Sequence, residues 1–116
     1  MKRYCQALDL KDDPVLIEEY INWHKPENIW PEIVQGIKEV GIINMEIYRD
    51  KNRLFMIVEV PDDFEWDKQM TKLATMPRQA EWEEFVSKYQ KSSPGASSAE
   101  KWRMMEKIFT LVDKIQ

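Results

Sequence analysis

The chain has 116 residues, of which 17 are basic and 21 acidic, for a formal net charge of −4 at pH 7. That length supports one domain with a single modest core, so residues 1–116 are read as one unit. The basic residues are scattered, which argues against nucleic acid and anionic membranes as partners. The start MKRYCQALDL is too polar for a signal peptide, no apolar run approaches the ~20 residues of a membrane span, and a cytoplasmic protein is expected.

Residues 3 to 10, RYCQALDL, alternate as a strand does, with Tyr4, Gln6, Leu8 and Leu10 on one face. Cys5 within it has no second cysteine to pair with and reads as buried packing. After KDDP, Pro14 suits a first helical turn, and Leu16, Ile17, Tyr20, Ile21 and His24 follow at helical spacing along one face. A second helix opens at Pro31, buries Ile33, Val34, Ile37 and Val40, and stops at Gly41. Residues 42–49 and 53–60 are rich in β-branched and aromatic residues around a turn-like DKN, which predicts a hairpin of two central strands.

Pro61 ends that hairpin, and Asp62 or Asp63 is expected to cap a helix carrying Trp66, Met70 and Leu73. Another helix is expected from Pro77, with Trp82, Phe85, Val86 and Tyr89 as its stripe, before the loop SSPGASS at 92–98. Residues 101–111, KWRMMEKIFTL, fit either period. Reading them as a strand completes β-α-β-β-α-β, an α+β ferredoxin-like unit with split helices over one sheet face. The opposite face carries apolar residues from four strands, and leaving it wet is unfavourable at ~25 cal/mol per Å2. Two copies packed sheet to sheet would cover it, so a homodimer is expected.

No GxGxxG or GxxxxGK arrangement occurs, and one histidine with one cysteine cannot supply a zinc site, so neither a metal nor a nucleotide cofactor is expected. The single histidine, His24, lies one helical turn beyond Tyr20, so both side chains point toward the same apolar surface. Each tip needs a polar partner there, because an unmade buried hydrogen bond costs about 1–3 kcal/mol. Two readings are open. Each group finds a backbone carbonyl and ends the helix, or the two border a polar pocket. In the second case an imidazole that both gives and takes a proton near neutrality, beside a phenol, suits proton transfer between oxygens. The five tryptophans, Trp23, Trp30, Trp66, Trp82 and Trp102, read as core or as flat walls for a sugar. Glu46 and Glu59 fall inside strands and either face solvent or line a wet cavity.

Several stretches, taken together and in order, resemble the L-rhamnose mutarotase family, and within it the branch acting on L-fucose. They are Glu18-Glu19-Tyr20 with His24, the run Trp30-Pro31-Glu32, IYRDKNRLFMIVE, Gln79 with Trp82, and Glu106 to Phe109. The resemblance covers nearly the whole chain. It implies a dimeric α/β barrel of ferredoxin-like subunits that interconverts the α and β anomers of a 6-deoxy-hexose. It also implies that His24 is the proton donor, that Tyr20 binds the sugar, and that Trp82 belongs to the substrate pocket.

Three departures from the rhamnose pattern stand out. Five residues, Lys25 to Ile29, separate His24 from Trp30, where rhamnose-type members have three. A sugar-binding tyrosine of the family falls at Met45, and the first of its tandem tryptophans falls at Glu81. A site that loses a hydroxyl and a ring reads a different pattern of sugar hydroxyls, which favours L-fucose. Glu46 and Glu81 are then candidates for binding ring hydroxyls. Two other activities fit the same features: a cofactor-free oxygenase on the same barrel, and a sugar-binding module without catalysis.

Overall fold

The computed structural model describes residues 1–93 and 95–111. Four strands form one antiparallel sheet in the order β2-β3-β1-β4. Strand β1 (Lys2–Asp9) pairs along its whole length with β3 (Arg53–Val60), from Lys2 opposite Val60 to Asp9 opposite Arg53. Strand β2 (Asn44–Asp50) pairs with the other edge of β3, and β4 (Arg103–Met104) with β1 at Gln6 and Ala7. This is the ferredoxin-like topology, with both helical layers on one side of the sheet.

The register decides which residues meet the helices, because side chains alternate between faces. Leu8, Leu54, Met56, Val58 and Val60 form the buried floor, and Met45, Ile47 and Arg49 of β2 lie on the same face, opposite Val58, Met56 and Leu54. Cys5, Phe55, Ile57, Glu46 and Tyr48 belong to the outer face. Cys5 is half-buried there, 3.6 Å from the sulfur of Met105.

Helix α1 (Pro14–Trp23) starts where Asp13 accepts from the backbone N–H groups of Val15 (2.9 Å) and Leu16 (3.2 Å), satisfying donors that a helix start leaves open. Helix α2 (Pro31–Glu39) ends before Gly41, whose φ of 98° is left-handed and suits glycine. Helices α3 (Trp66–Ala74) and α4 (Gln79–Ser87) complete the cover.

Five expectations need correction. Strand β2 is an edge strand, not a central one, and begins at Asn44, because Ile42 still bonds back to Ile37 of α2 and Ile43 makes only a first bond to the Glu59 carbonyl of β3. Neither Asp62 nor Asp63 caps α3. Its N-cap is Glu65 without a side-chain bond, and Asp62 instead pairs with the terminal amino group of Met1. Helix α4 starts at Gln79 after a left-handed Arg78 (φ 63°), two residues later than Pro77 suggests. Cys5 is half-buried on the outer face and is not core.

The last correction concerns 101–111. A capping box, Ser97 with Glu100, nucleates the short helix α5 (Ser98–Lys101), so only Arg103–Met104 form a ladder. Met105 adds one more bond, its N–H donating to the Cys5 carbonyl at 2.8 Å, while Ile108, Phe109 and Leu111 stay exposed without a neighbouring strand.

Helix α2 lies so close to the chain after α3 that Gly36, in mid-helix, has little room for a side chain. A Cβ there would sit 3.2 Å from the Met76 Cβ and 3.7 Å from the Leu73 Cδ1. Gly36→Val is expected to cost about 1–3 kcal/mol through overpacking, read as a lower urea midpoint. An unchanged midpoint contradicts the close approach.

Candidate active site

Between the helices and the exposed end of the sheet floor lies a cleft of about 810 Å3, lined by Tyr20, His24, Met45, Trp82, Glu83 and Gln90 among others. Helix α1 supplies the first two. Its last turn closes at His24, and the ring Nδ1 stands 2.7 Å from the carbonyl oxygen of Tyr20. A carbonyl only accepts, so Nδ1 carries the hydrogen and donates it, which leaves Nε2 with a free lone pair. Nε2 has no protein partner among the described residues, nor is it a sealed, unpaired atom. His24 itself lines the cleft.

Burial lowers the pKa of His24 from its ordinary 6.5, and the bond to the Tyr20 carbonyl offsets part of that shift. The neutral ring, with Nε2 as base, is the form held at neutral pH. Tyr20 is 4% exposed, and burial drives its pKa well above the usual phenol value, with the negative charge of Glu83 adding to the shift. Its hydroxyl therefore keeps its proton and can donate it, while accepting a bond from Gln90 Nε2 at 3.3 Å. The two rings lie 4.3 Å apart between centroids, tilted by 37°, and the His24 ring meets Trp82 edge-on at 5.4 Å. Trp30 in turn packs on Trp82 at 5.1 Å and carries the Arg78 guanidinium on its face.

Of the residues singled out from the sequence, His24, Tyr20, Trp82 and Met45 come together around the cleft. Glu46 and Glu81 do not. Glu46 sits opposite Ile57 on the outer sheet face, where Tyr48 donates to it at 3.4 Å. Glu81 points away from the helix stripe and pairs with Arg78 at 3.2 Å. The carboxylate that does line the cleft is Glu83, one residue past Trp82. Lys101, its side chain fully buried, donates to Glu83 Oε1 at 3.0 Å and to the Glu83 carbonyl at 2.6 Å, and Gln79 Nε2 donates to Oε2 at 2.6 Å. Stranding one charge of such a pair costs about 3–5 kcal/mol, so the network is a firm one. Helical spacing was the signal for it, since Gln79, Trp82, Glu83 and Val86 form one stripe of α4.

The lining mixes the apolar Ile33, Ile37, Met45, Ile47 and Met56 with the polar Tyr20, His24, Arg49, Gln79, Glu83 and Gln90. Among the described residues no group of three or more histidine, cysteine or acidic side chains is placed to hold a metal, and no helix is long and apolar enough to cross a membrane.

Each of the three comparisons with known proteins includes members of one family. The family model described as L-rhamnose mutarotase matches residues 3–111. An L-fucose mutarotase of Xanthomonas campestris is 38% identical over 115 residues, covering 99% of this chain and 92% of the relative. An L-rhamnose mutarotase of Shigella flexneri is 38% identical over 64 residues, covering 53% and 60% respectively. Among solved structures, an L-rhamnose mutarotase of Formosa agariphila superposes with a TM-score of 0.73 at 22% identity, covering 96% of this chain and 99% of that one. With its ferredoxin-like sheet, its cleft and a family match over almost its whole length, this chain belongs to the L-rhamnose mutarotase family.

Proposed function

We propose that this sugar mutarotase interconverts the α and β anomers of a 6-deoxy-hexose, L-fucose in preference to L-rhamnose, with His24 as the group that moves the protons. The observation that carries this reading is the divided use of the His24 ring. Nδ1 is spent on the Tyr20 carbonyl at 2.7 Å, and Nε2 is left free beside a cleft.

Mutarotation opens the cyclic hemiacetal to the aldehyde, lets C1 turn, and closes it on the other face. Opening takes a proton off the anomeric hydroxyl and puts one on the ring oxygen. Neutral His24 accepts the first proton at Nε2 and, as imidazolium, returns one to the ring oxygen; closure reverses the two transfers. The imidazolium is transient, since burial disfavours it, and the Tyr20 carbonyl steadies it by accepting the Nδ1 hydrogen. The Tyr20 hydroxyl, protonated throughout, donates to an oxygen at the anomeric end. Trp82 walls the site next to the imidazole.

Two features favour a 6-deoxy sugar and, among these, L-fucose. The apolar lining from Ile33, Ile37 and Met45 suits a methyl group where an ordinary hexose carries a hydroxyl. The L-fucose mutarotase relative also matches over a far larger share of this chain than the Shigella flexneri L-rhamnose mutarotase does.

The reading extends to assembly. Two copies pack outer face to outer face, covering Phe55 and Ile57, which are half-buried in one chain, and Tyr48 and Met105, which are 56% and 41% exposed. The contact is symmetric about a two-fold axis. Sedimentation at micromolar concentration should give the mass of two chains; a single-chain mass contradicts the pairing.

Saturation-transfer NMR of the anomeric signals tests the chemistry. Wild-type protein should speed exchange of L-fucose more than that of L-rhamnose, and of L-rhamnose more than that of L-galactose. A positioned proton-transfer group contributes about 100- to 10,000-fold, so His24→Gln should lose that factor while still binding the sugar. Because the folded-state pKa of His24 is depressed, the base form survives to lower pH than in a free imidazole. The acid limb of kcat/KM should therefore have its midpoint below 6.5 and vanish in His24→Gln. Wild-type exchange in that variant, or a midpoint above 6.5, refutes the assignment.

A further inference from the structure

We propose that Glu83 is the carboxylate that binds a ring hydroxyl of the sugar and so decides which sugar is accepted, and that Lys101 is its positioning residue. The inference deepens the mutarotase reading and rests on it. Among the described residues Glu83 is the acidic side chain that lines the cleft, and its side chain keeps 13% exposure, shared with a neighbouring hollow that Glu84, Ser87 and Lys88 also line.

Both carboxylate oxygens are held by protein donors. Oε1 takes a bond from Lys101 Nζ at 3.0 Å and Oε2 one from Gln79 Nε2 at 2.6 Å. A carboxylate offers about four acceptor sites, so two bonds leave capacity for a hydroxyl donor while fixing the group in place. Charge-assisted bonds of this kind are roughly twice as strong as neutral ones. The Oε1 atoms of Gln79 and Gln90 are sealed from the cleft, so of these neighbouring side chains the Glu83 carboxylate is the acceptor left for a hydroxyl donor.

Lys101 does not reach the sugar, because its side chain is fully buried. It acts through Glu83, gripping both the carboxylate and the backbone carbonyl (2.6 Å) and so tying α5 to α4. Folding alone does not call for this arrangement. Apolar residues in place of a buried ion pair are often as stabilising.

The test uses Glu83→Gln and the double variant Glu83→Gln/Lys101→Met, which removes both charges together and avoids a stranded lysine. Thermal unfolding checks that each folds. Two readouts follow: anomer-exchange kinetics, and tryptophan fluorescence titrated with L-fucose and its 2-, 3- and 4-deoxy analogues, which needs no turnover. In both variants KM and Kd for L-fucose should rise by about ten- to a hundredfold, the span of a hydrogen bond to a charged group, with kcat unchanged. One deoxy analogue should bind the wild type more weakly than L-fucose does, yet bind the variants as well as L-fucose does.

Wild-type KM and Kd in the double variant, with every deoxy analogue penalised as before, overturn the inference. A wild type that binds L-fucose without speeding exchange defeats the mutarotase reading but leaves the fluorescence test of Glu83 decisive. A wild type that neither binds nor turns over these sugars overturns both.

Discussion

The bond from the His24 ring to the Tyr20 carbonyl joins the end of a helix to the chemistry of the cleft. A helix terminus leaves carbonyl oxygens without backbone partners, and the side chain four residues on is within reach of one. By accepting the Nδ1 hydrogen at 2.7 Å, that carbonyl fixes the tautomer, the ring's orientation and the position of Nε2. The same backbone stretch places the Tyr20 phenol against the imidazole.

Around this bond the site follows from two alternations. The pleat of β2 and β3 sends Met45, Ile47, Leu54 and Met56 toward the helices, while the stripe of α4 brings Gln79, Trp82 and Glu83 to face them. The helices cover the sheet floor well at β1 and β3, where Leu8 and Val58 are almost inaccessible. They leave the edge strand β2 largely open, as its exposed residues show, and there the cleft forms. Charge burial at its inner end is made tolerable by pairing of the two charges. Lys101 and Gln79 both donate to Glu83 in a chain of bonds of 2.6–3.0 Å.

Much of this was legible in the residues. The strand at 53–60, the helix from Pro14 and the one from Pro31 follow from pattern and punctuation, and Tyr20 with His24 follow from a spacing of four. The carbonyl reading holds for His24 alone, whose Nδ1 ends the helix on the Tyr20 carbonyl, while the Tyr20 hydroxyl meets Gln90 instead and both residues line the cleft. Periodicity also had more to say than composition did. Met45 and Glu46 are neighbours in a strand and cannot share a face, and Glu81 lies off the stripe that runs through Trp82 and Glu83. Non-local facts were out of reach. That β2 takes the edge depends on the pairing of β1 with β3, and the partner of buried Lys101 lies 18 residues away in the chain. The short helix at Ser98 did have a local sign, Ser97 followed three residues later by Glu100, but its consequence, a two-residue β4, depended on where β1 runs.

With one histidine in the chain, the ring nitrogens of His24 are open to direct measurement. Long-range 1H–15N correlation on protein labelled in the histidine ring reports the protonation of each nitrogen without assignment ambiguity. At neutral pH the imidazole should be neutral, protonated at Nδ1 and bare at Nε2, with the Nε2 signal moving when L-fucose is added. A ring protonated at Nε2, or an Nε2 signal indifferent to the sugar, would contradict this reading.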